Sequence, residues 1–496
     1  TAMEFRAAHI LLCIFWCIVL IVGMFGLVFY PGSKMIYVLF TIFLNALLVL
    51  GFTRGRIYFD TFIGIFFWLG FWLKYSVRTI FFGGDFQAPE LIGKFGGTPP
   101  EFDRALLVVI CGISGLLIAS FIRRRFLFSY NDTGARIRFE ATFTVYQRYR
   151  KLILTAFFCL IVVVSVSNLA LGIYQRGTLP KTILPLGLSG VYTWLLLFGL
   201  ASFSAVILDY EFRLKKEPYL AGLIGIAETF FSNVSILSRG MVLNGSSLLI
   251  GMRDTSGRRS MRPGIRYKLI VLGVFMTMFL ASVFITNQVR ERHFYSDFSS
   301  RTNISKSFLV KMTFARLFLL FGIKVPEPVI EAIAGVEALV IDRLICIEGV
   351  MSMVGHRQLG WGLWKEAWGE KYSHSGTSMY DLKILGASQE GLKHHHFISI
   401  PGIVAFFYYP GSMIFLLTSM VLLGVFAAGL EFLAYRLSDG NLILCALFGQ
   451  VIAYRYAHFG YVPAQSYLLF GSLVLNLLII YFSGKFLSQL TKGSGQ

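Results

Sequence analysis

The chain has 496 residues, 56% of them hydrophobic and only 14% charged, with a mean hydropathy of +0.69 and a formal net charge of +19. Soluble domains carry about one quarter charged residues, so this composition excludes a soluble globular protein. Apolar runs long enough for a helix to cross the hydrocarbon core recur along the chain, whereas a transmembrane β-barrel would give short alternating segments.

In chain order the hydropathy predicts twelve spans, roughly at 9–30, 35–53, 58–77, 105–122, 152–174, 185–208, 219–236, 239–252, 268–286, 412–435, 441–459 and 464–484. The seventh and eighth are short and share a tight turn. Thr1-Ala2 ahead of Met3, and the Gly493-Ser494-Gly495-Gln496 end, have the composition of a cleavage scar and a linker. The first apolar run, His9 to Tyr30, is long enough to stay as a span rather than be removed as a signal. The chain thus divides into nine spans over 1–286, a loop over 287–411, three spans over 412–490 and a tail over 491–496. The expected fold is an all-α polytopic membrane protein of about twelve transmembrane helices with a large helical periplasmic loop.

Basic residues orient these spans. With the N-terminus placed inside, the inner loops and span ends collect 23 Lys and Arg, against seven on the short outer ones. That asymmetry predicts both termini on the cytoplasmic side. The same flanks account for much of the net charge. They stand beside spans at every turn, which fits topology and anionic lipid headgroups and not nucleic acid.

The 287–411 segment stands apart. It holds thirteen Lys and Arg, and its Phe308–Phe321 and Val329–Val354 stretches have helical patterning. The rest is rich in Gly, Ser, Trp and Tyr. A loop this long is functional or disordered, and one so aromatic is not disordered. The expectation is a folded cap on the outer face.

The cysteines carry little. Five lie in apolar spans and Cys346 is alone in the cap, so the cap cannot close an internal disulfide. No Cys/His spacing suggests zinc.

Charged side chains inside spans cost on the order of 3 kcal/mol and mark function by default. Arg239, in the turn Ser238-Arg239-Gly240, is the only basic residue between Lys216 and Arg253. It reads either as a side chain snorkelling to headgroups or paired with Glu228, or as a guanidinium gripping a lipid phosphate. Arg455 and His458 are three apart near the end of the eleventh span, which predicts a shared helix face. Their neighbours Tyr454, Tyr456, Phe459 and Tyr461 suit an interfacial aromatic belt. In the cap, Asp342, Arg343 and Glu348 fall in a helical pattern. Lys393-His394-His395-His396 leads into Ser399-Ile400-Pro401-Gly402. Consecutive histidines point in different directions, so a single His acting as base or donor is favoured over a metal tract. Arg290, Arg292 and His293 follow the ninth span and add positive potential. Several Arg and His thus gather at one face beneath a folded loop, an arrangement suited to an anionic lipid-linked substrate.

These residues resemble the Wzy-type oligosaccharide repeat-unit polymerases, relatives of the O-antigen and enterobacterial common antigen polymerases and more distantly of the O-antigen ligases. The resemblance rests on four features in order: the Ser-Arg-Gly turn at 238–240, an outer loop with Asp342, Arg343 and Glu348, a His before Ser399 and Pro401, and Arg455 near the end of the penultimate span. It covers about 220–470, and the first 200 residues match in hydropathy alone. Two features depart from the pattern: the histidine triplet, and the Asp-Arg order at 342–343 where Arg-Asp is expected. The resemblance implies a GT-C-like fold and a metal-independent, inverting glycosyl transfer at the periplasmic face of a bacterial inner membrane, without a cofactor. The donor would be a glycan on undecaprenyl diphosphate and the acceptor a repeat unit on the same carrier. It implies Arg239, Arg343 and Arg455 on diphosphates, helped by Arg290 and His458, and His394 or Glu348 on the acceptor hydroxyl. Lipids and a chain-length regulator would be partners. A ligase-like transfer to another acceptor, or a flippase, is the alternative.

Overall fold

The computed structural model describes residues 2–53, 55–82, 92–128, 130, 140–176, 180–214, 219–238, 240–258, 265–294, 346–371, 378–386 and 399–493. Backbone polar groups in an apolar medium must be satisfied within the chain, and the described residues are helical with no strand. The first part of the chain forms α1 Ala2–Phe29, α2 Lys34–Leu50, α3 Tyr58–Phe67, a π-helical turn Trp68–Leu73 and α4 Lys74–Phe82. It continues with α5 Pro99–Phe126, α6 Glu140–Leu171, α7 Leu188–Trp194, a second π-helical turn Leu195–Gly199, α8 Leu200–Arg213, α9 Tyr219–Ser235, α10 Met241–Arg258 and α11 Ile265–Phe294. After the cap pieces α12 Ile347–Gly355, α13 Trp361–Trp368 and α14 Ile403–Phe407 come α15 Met413–Leu437, α16 Leu442–Ala457 and α17 Ser466–Gly493.

Seven helices among the described residues are long and apolar enough to cross a membrane: His9–Phe29, Pro99–Phe126, Glu140–Leu171, Pro185–Arg213, Leu269–Thr286, Met413–Leu437 and Ser466–Gln489. The other five expected spans are helical but fall short of that standard. Lys34–Leu50 and Leu442–Ala457 are apolar and shorter. The 58–82 segment is interrupted by its π turn, α9 has 17 residues, and α10 carries Arg253, Asp254 and Arg258.

The shortfall has a packing reason in α16. Nearly all of its side chains are buried, and it packs against α3, α8, α10 and α15. A helix surrounded by protein need not match lipid in length or polarity. Its approach to α3 is close: a Cβ on Gly449 would stand 2.6 Å from the Phe59 backbone nitrogen. Small residues at such crossings let backbones meet and gain dispersion contact, which drives helix association where no hydrophobic effect operates.

Loops meet in alternation at two ends of the bundle. At one end, Tyr30 and Ser33 bond Asp103 at 2.7 and 2.9 Å. There the Arg176 amide bonds the Ile236 carbonyl at 2.9 Å, and the Gly402 amide bonds the Phe459 carbonyl at 2.9 Å. The described part of 346–411 packs here, so this is the cap end. At the opposite end Arg123 donates to the carbonyl of Gly55 at 3.1 Å, Arg56 pairs with Asp254 at 2.6 Å and Arg213 with Asp439.

Of the two helices read into the cap, Phe308–Phe321 lies outside the described residues, as does 329–345. The described remainder of the second is α12, which begins at Ile347.

Candidate active site

The cap end is built around the 58–82 segment. Its cap-end half is wedged by an aromatic cluster of Tyr30, Tyr37, Phe40, Tyr75 and Phe102, with neighbouring ring centroids 5.3–6.4 Å apart. Trp68 and Trp72 donate their indole N–H groups to Asn45 and Thr41 at 3.0 and 3.1 Å. The π turn between these anchors re-aims the side chains of α4, a common device at functional sites. Lys74, the residue directly after the turn, is 2% exposed and forms an ion pair with Glu348 of α12. One Glu348 oxygen, Oε1, takes the ammonium. The other, Oε2, is buried without a hydrogen-bond partner among the described residues.

Around that pair the described cap residues are hydrogen-bonded to one another. Tyr380 shares a hydrogen bond of 2.7 Å with Ser352, one turn beyond Glu348. Asp381 accepts from the Ser378 hydroxyl at 2.7 Å and from the Ser399 amide at 3.3 Å. Glu370 accepts from the amides of Met379 at 2.5 Å and Val462 at 3.3 Å, which ties the cap to the loop after α16. Burial raises the Glu370 carboxyl above its ordinary range. Burial also pushes the Cys346 thiol up to about 12, which makes it inert as a nucleophile. The Tyr409 hydroxyl is buried and unpartnered among the described residues.

Pro401 joins this assembly to α16. A Cβ on Gly349 would fall 1.9 Å from the Pro401 carbonyl oxygen, and one on Gly460 would fall 2.5 Å from the Pro401 ring. Both glycines are therefore required for the 401 segment to sit between α12 and the end of α16. Beyond it, Arg455 lies over the Phe459 ring at 5.7 Å and donates to the Ser466 hydroxyl at 3.4 Å. Its Nε is buried with no hydrogen-bond partner among the described residues. Arg176 faces Tyr174 and Tyr454, so a second guanidinium stands beside the same helix end.

The structure brings three of the sequence-derived candidates, Glu348, Arg455 and His458, to this end. Arg239, Arg343 and His394 lie outside the described residues, as do Asp342, His395 and His396. Arg290, Arg292 and His293 lie in the last turns of α11, with their side chains outside the described set.

Two expectations are corrected. Arg455 and His458 do not share a helix face: α16 ends at Ala457, and His458 leaves helical geometry at φ −112°, ψ 68°. Its ring instead stacks on Tyr454 with centroids 4.3 Å apart. Nor do Tyr456 and Phe459 belong to an interfacial belt, because both are buried in protein. Tyr456 is buried against Phe59 and Phe470, and Tyr454 packs on Phe66. The surrounding helices turn this face inward.

Lys74, Arg176, Glu370, Tyr380 and Asp381 were not singled out from sequence. Lys74 carried a usable signal, a cation within an apolar run. Its partner lies 274 residues away in the chain, beyond any local pattern. Among the described residues no three His, Cys, Asp or Glu side chains come together as a metal site.

The arrangement offers a buried carboxylate held by an ammonium and a half-buried guanidinium, each with one polar atom that has no partner among the described residues. Such groups can accept a proton from a hydroxyl and grip phosphate oxygens. No known protein family, curated protein or solved structure matches the chain.

Proposed function

We propose that this chain is a membrane glycosyltransferase that polymerises oligosaccharide repeat units carried on undecaprenyl diphosphate. In this reading all twelve helices span the inner membrane of a bacterium, both termini are cytoplasmic, and the cap end faces the periplasm. One observation carries it most: the buried Lys74–Glu348 pair, whose second carboxylate oxygen has no hydrogen-bond partner among the described residues, beneath a cap that also reaches the Arg455 end of α16.

The chemistry rests on those groups. Glu348 Oε2 takes the proton of the acceptor hydroxyl as its oxygen attacks the anomeric carbon of the donor sugar. The bond from that carbon to the diphosphate oxygen breaks on the opposite face, which inverts the centre. Lys74 holds Glu348 in position. Arg455, with Arg239, Arg343, Arg290 and His458, receives the charge that develops on the diphosphate. Fixed cations aimed at a leaving group are the kind of preorganised electrostatics that lowers such barriers most. His394 is the second candidate for the acceptor proton.

The test is reconstitution of the purified chain with lipid-linked repeat units, read on a gel. A ladder of lengthening lipid-linked products is expected. Transfer only to a different acceptor would assign a ligase, and movement of substrate without new bonds would assign a flippase. Activity is expected to survive chelation, and loss with EDTA followed by rescue with a divalent ion would contradict the mechanism.

A further inference from the structure

The end opposite the cap holds a cavity of about 520 Å³ that the proposed reaction does not use. It lies between the α2–α3 turn and the end of α10, and its lining includes Phe52, Arg56, Tyr58, Arg253, Asp254 and Gly257. The volume falls within the range of small-ligand sites.

Its charge is unbalanced. Arg56 pairs with Asp254 at 2.6 Å and also donates to Thr61 at 2.9 Å, with its guanidinium over the Tyr58 and Phe52 rings. The Tyr58 hydroxyl donates to the same Asp254 oxygen at 3.0 Å. Asp254 is thus already engaged by two donors, and Arg56 is fixed in one orientation. Arg253, exposed on the same wall, has no hydrogen-bond or ion-pair partner among the described residues. Two guanidinium groups therefore meet one carboxylate, and the rigid one is preorganised.

The cavity's apolar side opens outward. Phe52 is 54% exposed, and Ile42 and Val49 are exposed behind it on α2. Residues 42 and 49 are seven apart and share one helical face. An acyl chain lying along that stripe would bring its headgroup to the cavity mouth. On the topology proposed above, this end meets the leaflet surface where anionic lipids attract basic segments.

We infer that this cavity binds the phosphate ester of an anionic lipid headgroup, with Arg253 and Arg56 on the phosphate and Phe52 against the start of the tail. A soluble phosphate ester presents the same group to the same arginines, and the experiment separates the two sources.

The experiment titrates the full chain in detergent with dihexanoyl-phosphatidylglycerol, dihexanoyl-phosphatidylcholine and glycerol 3-phosphate, following binding by the shift in unfolding temperature. Saturable stabilisation by phosphatidylglycerol, with phosphatidylcholine and glycerol 3-phosphate much weaker, is expected for the lipid site. Equal binding of glycerol 3-phosphate would assign the site to soluble esters. Arg253→Gln is expected to weaken binding about tenfold, the loss of roughly one charge-assisted contact. Gly257→Leu places a side chain on the cavity wall, where an added Cβ meets nothing within 4 Å, and is expected to weaken binding. Unchanged affinity in both variants, or phosphatidylcholine binding as tightly as phosphatidylglycerol, overturns the assignment.

Discussion

The two ends of the bundle treat buried carboxylates differently. Opposite the cap, the carboxylates are saturated. Glu431 accepts from the amides of Tyr58 and Phe59 at 2.7 and 2.9 Å and from the Tyr130 hydroxyl, so it caps the start of α3 from another helix. Glu211 takes Arg150 on both oxygens at 2.6 and 2.7 Å and Tyr146 on one. Asp60 meets Arg123 at 2.6 Å. At the cap end, Glu348 Oε2, Arg455 Nε and the Tyr409 hydroxyl are buried with no partner among the described residues. An unmade hydrogen bond on a buried group costs on the order of 1–3 kcal/mol. Among the carboxylates, saturation reads as architecture and an open oxygen as capacity held for a ligand. The guanidinium groups do not sort this way, because Arg123 Nε opposite the cap is also buried with no partner among the described residues, so the rule that buried ionisable groups mark function needs this further distinction.

Removing the cation that saturates a buried carboxylate gives the largest expected effect. Arg123→Ala strands the buried Asp60 carboxylate, and breaking a buried pair by removing one partner costs about 3–5 kcal/mol. Thermal unfolding of the purified variant should show that loss, together with poor recovery of monodisperse protein. An unfolding temperature equal to wild type would erase the contrast between the ends. Removing an unsaturated group should act on activity alone. Arg455→Ala is expected to slow chain extension by about 10²-fold, the usual loss for one charge-stabilising donor, while unfolding temperature stays close to wild type. A variant that is folded and still makes normal-length polymer would remove Arg455 from the site.

The smallest effect concerns pH. His356, at the end of α12, is held below its ordinary value by burial and, secondarily, by Lys94. Because its folded pKa lies below the unfolded value of about 6.5, the neutral ring's contribution is complete above that value. It is lost as pH falls through the folded pKa. Hydrogen exchange of the α12 amides should therefore quicken as pH drops below about 6.5, after correction for intrinsic exchange, and His356→Gln should flatten that dependence. A pH profile identical in wild type and variant would show that His356 does not couple the cap to acid.

Much of the helical scaffold was legible in the sequence, because apolar runs bounded by basic and glycine-containing turns define helices locally. What hydropathy could not give was each helix's surroundings. The 58–77 segment runs on to Phe82 through Lys74 and Arg78, because Lys74 faces buried protein instead of lipid. Leu442–Ala457 is apolar because it is the hub of the bundle, and that same burial turns Tyr456 inward. The candidate site was half legible. Glu348 and Arg455 stood out as charges in apolar or helical patterns. Their environment comes largely from residues distant in the chain, Lys74 for Glu348 and Pro401 between Gly349 and Gly460, and these leave no periodic trace.

The central claim is that the free oxygen of Glu348 takes a proton during glycosyl transfer. It is tested most directly by reconstituting Glu348→Gln beside wild type with lipid-linked repeat units and timing ladder formation, with unfolding temperature measured on the same preparations. Glutamine keeps the size and a hydrogen-bonding carbonyl but cannot accept the proton. The account predicts a variant that remains folded and extends chains about 10²–10⁴-fold more slowly, the range for loss of a general base. A folded variant that builds the wild-type ladder at the wild-type rate would contradict it.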